Sequence, residues 1–131
     1  MGFWKSVFGI CETPALDAGW SVVENAVLID LERVPALLEP GAAARLEGAP
    51  LPERLFVLHG RDGAFHAYVN RCTHMGRRLD PGGTAAPLQC CSVSHSEFTY
   101  DGHPAKGPAR KPLTVLPVRR EENRLRIELP G

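Results

Sequence analysis

From Ala26 onward the apolar residues of this chain come in short runs broken by turn residues, and none of the runs sustains the 3.6-residue period of a helix. Residues 26–31 read as a strand. Residues 34–38 lead into a Pro40-Gly41 turn, and 43–46 resume the extended pattern. Residues 55–58 and 65–69 flank Gly60-Arg61-Asp62-Gly63, a polar glycine-bearing connection that predicts a β-hairpin. Near the C-terminus, 113–118 and 125–129 flank Arg119 to Arg124, and Leu125, Ile127 and Leu129 alternate with Arg126 and Glu128. That alternation predicts a second hairpin with one wet face. The pattern as a whole predicts an all-β antiparallel sandwich or barrel, with one domain over residues 26–131 preceded by an N-terminal arm over 1–25.

Between the hairpins, residues 71–112 carry little strand pattern but hold three of the four cysteines, together with five prolines. This stretch reads as an insert within the same domain, since no repeat, low-complexity tract or linker separates it. The chemistry is concentrated there.

Composition narrows the function classes. The 131 residues include 15 basic and 15 acidic side chains, a formal net charge of zero that supplies no global field for nucleic acid or an anionic membrane. No apolar run approaches the roughly 20 residues needed to cross a bilayer. The first thirteen residues are amphipathic (Phe3, Trp4, Val7, Phe8, Ile10) but carry only Lys5 as a basic residue and no small-residue cleavage site. They read as an arm whose aromatic face covers part of the domain or a partner, and the expected compartment is the cytoplasm. No phosphate loop, dinucleotide fingerprint, nucleophile elbow or HExxH motif is present, which leaves no support for the enzymes those motifs define.

Two elements in the insert are the candidate site. The first is Cys72-Thr73-His74, followed by Met75-Gly76-Arg77, directly after the strand expected to end at Val69. The second is Cys90-Cys91-Ser92-Val93-Ser94-His95-Ser96-Glu97-Phe98. Thiolates and imidazoles on two facing loops are soft and borderline ligands suited to a shared metal centre. Packing alone accounts for a buried cysteine, yet gives no reason for two Cys/His-bearing loops. A disulfide is disfavoured in a cytoplasmic chain. Cys11 reads as a packing or surface thiol, His59 and His66 as partly exposed strand residues, and His103 as a turn residue.

A Cys-x-His loop paired with a second Cys/His loop resembles the Rieske family, over about residues 26–129. In that family one iron of a 2Fe-2S cluster takes two thiolates and the other two imidazoles. Phe98, Asp101-Gly102 and Gly107-Pro108-Ala109 match the aromatic, turn glycine and proline-bearing cover that follow the second loop in such proteins. The resemblance implies a Rieske-like fold with a small inserted cluster-binding subdomain, a Rieske-type 2Fe-2S cofactor, and Cys72, His74, Cys91 and His95 as ligands. With Cys91 and Phe98 both in family register, the second imidazole position falls on Ser94 and His95 takes the place of a glycine. The fourth ligand therefore stays open among His95, Ser94 and Cys90, as does loss of the cluster.

Arg77 and Val93 stand where high-potential respiratory Rieske proteins carry a bracing disulfide. That points to the ferredoxin branch that serves oxygenases, with a reductase and an acceptor oxygenase as partners. Ser96 stands where some members place a serine that bonds a cluster sulfur. The expected function is electron transfer rather than catalysis. Two other classes remain: a Rieske-fold interaction or metal-binding module without the standard cluster, and a small metalloenzyme with an open site. A local excess of positive charge at Arg77, Arg78, Lys106, Arg110 and Lys111 fits either a solvated rim or a docking face for an acidic partner.

Overall fold

The computed structural model describes residues 13–73, 76–82, 86–90 and 96–130. Cys11 and all of the amphipathic N-terminal stretch except Thr13 lie outside the described residues. The architecture is all-β and antiparallel, as the pattern predicts, and it has three layers.

The base layer is a sheet of order β1-β2-β12-β11, formed by β1 (Trp20–Val23), β2 (Ala26–Asp30), β12 (Arg124–Glu128) and β11 (Val118–Glu121). The expected alternation is seen in β12, where Leu125 and Ile127 are buried while Arg124 and Glu128 are exposed. The middle layer runs β10-β5-β4-β3, from β3 (Ala43–Leu46), β4 (Leu55–His59), β5 (Phe65–Val69) and β10 (Val115–Leu116). The insert forms the third, of order β6-β7-β8-β9: β6 (Leu79–Pro81), β7 (Leu88–Cys90), β8 (Glu97–Phe98) and β9 (Pro104–Lys106).

The run Leu55-Phe56-Val57-Leu58-His59 is buried along its whole length because the middle sheet is covered on both faces. Leu55 and Val57, with Ala67 and Val69 of β5, join Val27, Ile29, Leu125 and Ile127 in one core. Phe56, Leu58 and Tyr68 point the other way, into a second core with Leu79, Leu88, Phe98 and Leu113 of the insert and its return segment. The second core is what fixes the insert. Tyr68 strengthens it by donating its phenol to the Tyr100 carbonyl at 2.7 Å, and burial pushes that phenol's pKa well above its usual value.

Four features differ from the sequence reading. Residues 20–23, assigned to the N-terminal arm, form β1 and pair with β2 from Trp20↔Ile29 to Val23↔Ala26. Residues 34–38 hold a turn of 3-10 helix at Pro35–Leu38. Residues 113–118 are not one strand: Val115–Leu116 pairs with β5 and Val118 onward with β12, because Pro117 has no N–H to continue either ladder while its carbonyl accepts the Glu128 N–H at 3.0 Å. The second hairpin closes over Glu122 and Asn123, with Glu122 at φ +59°, so the loop is tighter than 119–124.

His59 is buried rather than partly exposed. Its ring stacks on Phe65 with 4.2 Å between centroids, and Nδ1 lies 2.7 Å from the Leu37 carbonyl, which makes Nδ1 the protonated nitrogen. His66 is partly exposed, as expected, stacked on Tyr100 and paired with Asp62 at 2.9 Å.

Candidate metal centre

The first loop leaves β5 at Asn70, a polar residue with no exposure at all. Its N–H donates to the Arg54 carbonyl at 2.8 Å and its Oδ1 accepts the Leu79 N–H at 2.7 Å, so one side chain joins the entry of the loop to β6 beyond its exit. The loop is closed on itself. The Cys72 N–H donates to the Arg77 carbonyl at 2.7 Å, and the Gly76 N–H to the Cys72 carbonyl at 2.8 Å. Gly76 sits at φ +70°, a conformation that costs a side-chain-bearing residue roughly 1 kcal/mol or more.

The second loop is closed in the same manner, by the Cys90 N–H on the Ser96 carbonyl at 2.6 Å. Cys90 ends β7 opposite Leu79, and the strand alternates with Leu88 and Cys90 buried and Gln89 half-buried. Cys72 and Cys90 share the second core. Of the predicted ligands, His74, Cys91, Ser94 and His95 lie outside the described residues. Among the described residues no group of three or more metal-ligating side chains gathers.

A third segment ties the two loops together. Thr73 Oγ1, between the first two predicted ligands, donates to the Lys111 carbonyl at 2.7 Å. Ser96 Oγ accepts the Ala109 N–H at 3.1 Å, which leaves its own proton for another acceptor. The cover also approaches closely, since a Cβ on Gly107 would stand 2.7 Å from Ser96 Cα. The proline-bearing segment that the resemblance assigned to covering the site is thus bonded to both ligand loops.

This arrangement fits an iron–sulfur centre. The two loops carry cysteine and histidine in sequence, their described stems are held to one segment, and the buried Asn70 Nδ2, two residues before Cys72, is a donor with no partner among the described residues. Such a donor suits sulfur acceptors nearby.

The electrostatics revise the proposed rim. Arg78 is engaged in a bidentate pair with Glu47, at 2.6 and 3.0 Å, which holds the Glu47 carboxyl below its usual range and raises the Arg78 pKa. Arg71, Lys106, Arg110 and Lys111 are exposed, and Arg77 is half-buried. Residues 71–112 carry six basic and three acidic side chains, against nine and twelve in the rest of the chain, so the excess of positive charge is confined to the insert. An open hollow of about 680 Å³ lies at the loop end, its lining including Arg71, Cys72, Thr73, Gly76 and Lys111.

Sequence reasoning missed Asn70, Thr73 and Arg54 as parts of the site. Asn70 and Thr73 flank Cys72 in the chain, but only the fold shows what they bond. Arg54 is far from the loop in sequence; the pairing of β4 with β5 brings it there and its guanidinium bonds the loop.

The model of the Rieske [2Fe-2S] domain family matches residues 38–117. Among solved structures, the chain is similar to the ferredoxin of carbazole 1,9a-dioxygenase from Nocardioides aromaticivorans IC177, with 18% identity over 86% of this chain and 100% of that one, at a TM-score of 0.61. It is also similar to a chain in a complex of reduced oxygenase and oxidized ferredoxin of carbazole 1,9a-dioxygenase (21% identity, 69% and 82% of the two chains, TM-score 0.55). A third likeness is to a quaternary ammonium Rieske monooxygenase, with 16% identity and a TM-score of 0.58 over 98% of this chain and 33% of that one. At these identities the likenesses show the fold.

Proposed function

Because this chain belongs to the Rieske [2Fe-2S] domain family, whose cofactor is a Rieske-type 2Fe-2S cluster, we propose that it serves as the ferredoxin component of an oxygenase-type electron-transfer system, passing single electrons between a reductase and an acceptor protein. The observation that carries this reading is the double tie of Thr73 to Lys111 and of Ala109 to Ser96, which holds the stems of both ligand loops against one cover. When bound, the cluster supplies one reversible electron. Cys72 and Cys91 would hold one iron as thiolates, His74 and His95 would hold the other through imidazole nitrogens, and Ser96 would offer its hydroxyl proton beside the second loop.

The residues around the loop end serve docking rather than bond-making. Arg71 and Lys111 line one hollow with Thr73, and Arg110 and Lys111 line a second with the same Thr73, so positive charge is presented beside the first loop and an acidic partner surface is the complement. At 0.1 M salt the screening length is about 10 Å, so approach is steered mainly by charges near the contact. Electron-transfer rates with an acidic partner are expected to fall steadily as ionic strength rises in stopped-flow measurements. Rates that stay flat across that range would refute the docking role.

The direct test is the visible spectrum with iron and acid-labile sulfide content of protein purified without oxygen. Brown protein with equal iron and sulfide is the expected result. Colourless protein holding a single zinc ion, or none, would replace the reading with that of an interaction module, for which Ser94 in the imidazole position is the sequence observation. No helix among the described residues is long and apolar enough to cross a membrane.

A further inference from the structure

We propose that Arg54 is a positioning residue for the first ligand loop: its guanidinium fastens both ends of that loop to the strand beneath it and keeps a permanent positive charge beside the centre. The inference rests on the cluster reading above for its redox consequence, though not for its mechanical one.

Arg54 immediately precedes β4. Its Nε donates to the Asn70 carbonyl at 3.2 Å and its Nη2 to the Gly76 carbonyl at 2.9 Å, while its own carbonyl accepts the Asn70 N–H. Residues 70 and 76 bracket Cys72, so one planar side chain spans the mouth of the loop. Of the bonds that close the loop internally, Gly76 to Cys72 lies within the span it bridges and Cys72 to Arg77 ends one residue beyond it. Two carbonyls at a fixed separation require a forked donor. A lysine ammonium has three donors on a single nitrogen at the end of a flexible stem, so it lacks the fixed, spaced fork that reaches both carbonyls in one geometry.

The charge is poorly neutralised. Burial lowers the Arg54 pKa, Arg78, Arg71 and Arg45 lower it further, and Glu47 alone opposes them. Glu47 is itself engaged by Arg78 at 2.6 Å and approached by Arg45 at 3.9 Å. The guanidinium stays protonated in proteins regardless, so the loop carries a standing positive field. Adding an electron to a centre next to such a field is made easier, and the reduction potential rises.

The test compares wild type with Arg54→Lys and Arg54→Met, reading midpoint potential, iron and sulfide content, and amide exchange of residues 70–77. In Arg54→Met, exchange at the Cys72 and Gly76 amides is expected to speed up by about tenfold, the scale of losing one charge-assisted hydrogen bond, and the potential to fall. Arg54→Lys should keep most of the potential while losing much of the protection, which separates charge from geometry. An Arg54→Met protein with wild-type potential and wild-type exchange would overturn the proposal, as would an Arg54→Lys protein that matches wild type in both. Wild-type protein without iron and sulfide would defeat the proposed function instead, and the exchange data would still judge the clamp.

Discussion

Cys72→Ala protein is expected to fold and to contain no iron or acid-labile sulfide, whereas Cys90→Ala should retain both. The two cysteines are an informative pair because their surroundings are so alike. Both are buried, both belong to the core that joins the insert to the middle sheet, and alanine leaves each site apolar. Loss of the sulfur's packing should cost either variant about 1 kcal/mol of stability, which leaves the fold intact. The difference lies in position. Cys72 sits inside a loop whose ends are fixed by Arg54, Asn70 and Arg77, next to Thr73 bonded to the cover. Cys90 is the last residue of β7, paired with Leu79, and its side chain follows the alternation that buries Leu88. Iron and sulfide retained in Cys72→Ala would remove it from the ligand set; iron lost from Cys90→Ala would bring back the alternative in which Cys90 completes the site. The same assay, applied to His95→Ala and Ser94→Ala, resolves the fourth ligand. Loss is expected for the first and retention for the second, and the reverse result would move the assignment to Ser94.

How far the fold could be read in advance depended on element length and on faces. The run 55–58 was legible as a strand because it is continuously apolar, and the same property now identifies a sheet covered on both sides. The strand Trp20–Val23 was not, because its half-buried positions, Trp20 and Val22, follow Gly19 in a stretch otherwise rich in exposed residues. The insert's strands are two or three residues long, and two of them end or begin at Pro81 and Pro104. A period of two cannot be recognised in so short a span. Pro117 was visible as a residue, but which sheets it separates is a matter of long-range pairing. The site divides in the same way. Cys72, His74 and Cys91 stand out as candidates by their spacing, because donors on one loop are close in sequence, and of the three Cys72 lies among the described residues. Arg54, Asn70 and Thr73 could not be given roles, because each acts through a carbonyl or amide that only the folded chain brings within reach.

Gly107→Ala is expected to destabilise the protein by about 2–4 kcal/mol, lowering the melting temperature by roughly 10 °C. Two effects add. Gly107 sits at φ +92°, where any side chain is strained by about 1–2 kcal/mol. The new Cβ would also stand 2.7 Å from Ser96 Cα and 3.2 Å from both the Ser96 nitrogen and Oγ, and neither Cα nor nitrogen can swing aside as a side-chain tip would. The cover must therefore move away from the second loop, taking with it the 3.1 Å bond from the Ala109 N–H to Ser96 Oγ. Gly63→Ala supplies the control. Gly63 has a similar φ of +87°, but its Cβ would meet nothing within 4 Å, so it reports the backbone strain alone. The difference between the two melting curves isolates the close approach of cover to loop, and it should be accompanied by weakened retention of iron only in Gly107→Ala. Equal destabilisation by the two substitutions would mean that the cover does not press on Ser96. The second loop would then owe its position to the Cys90–Ser96 bond rather than to the segment above it.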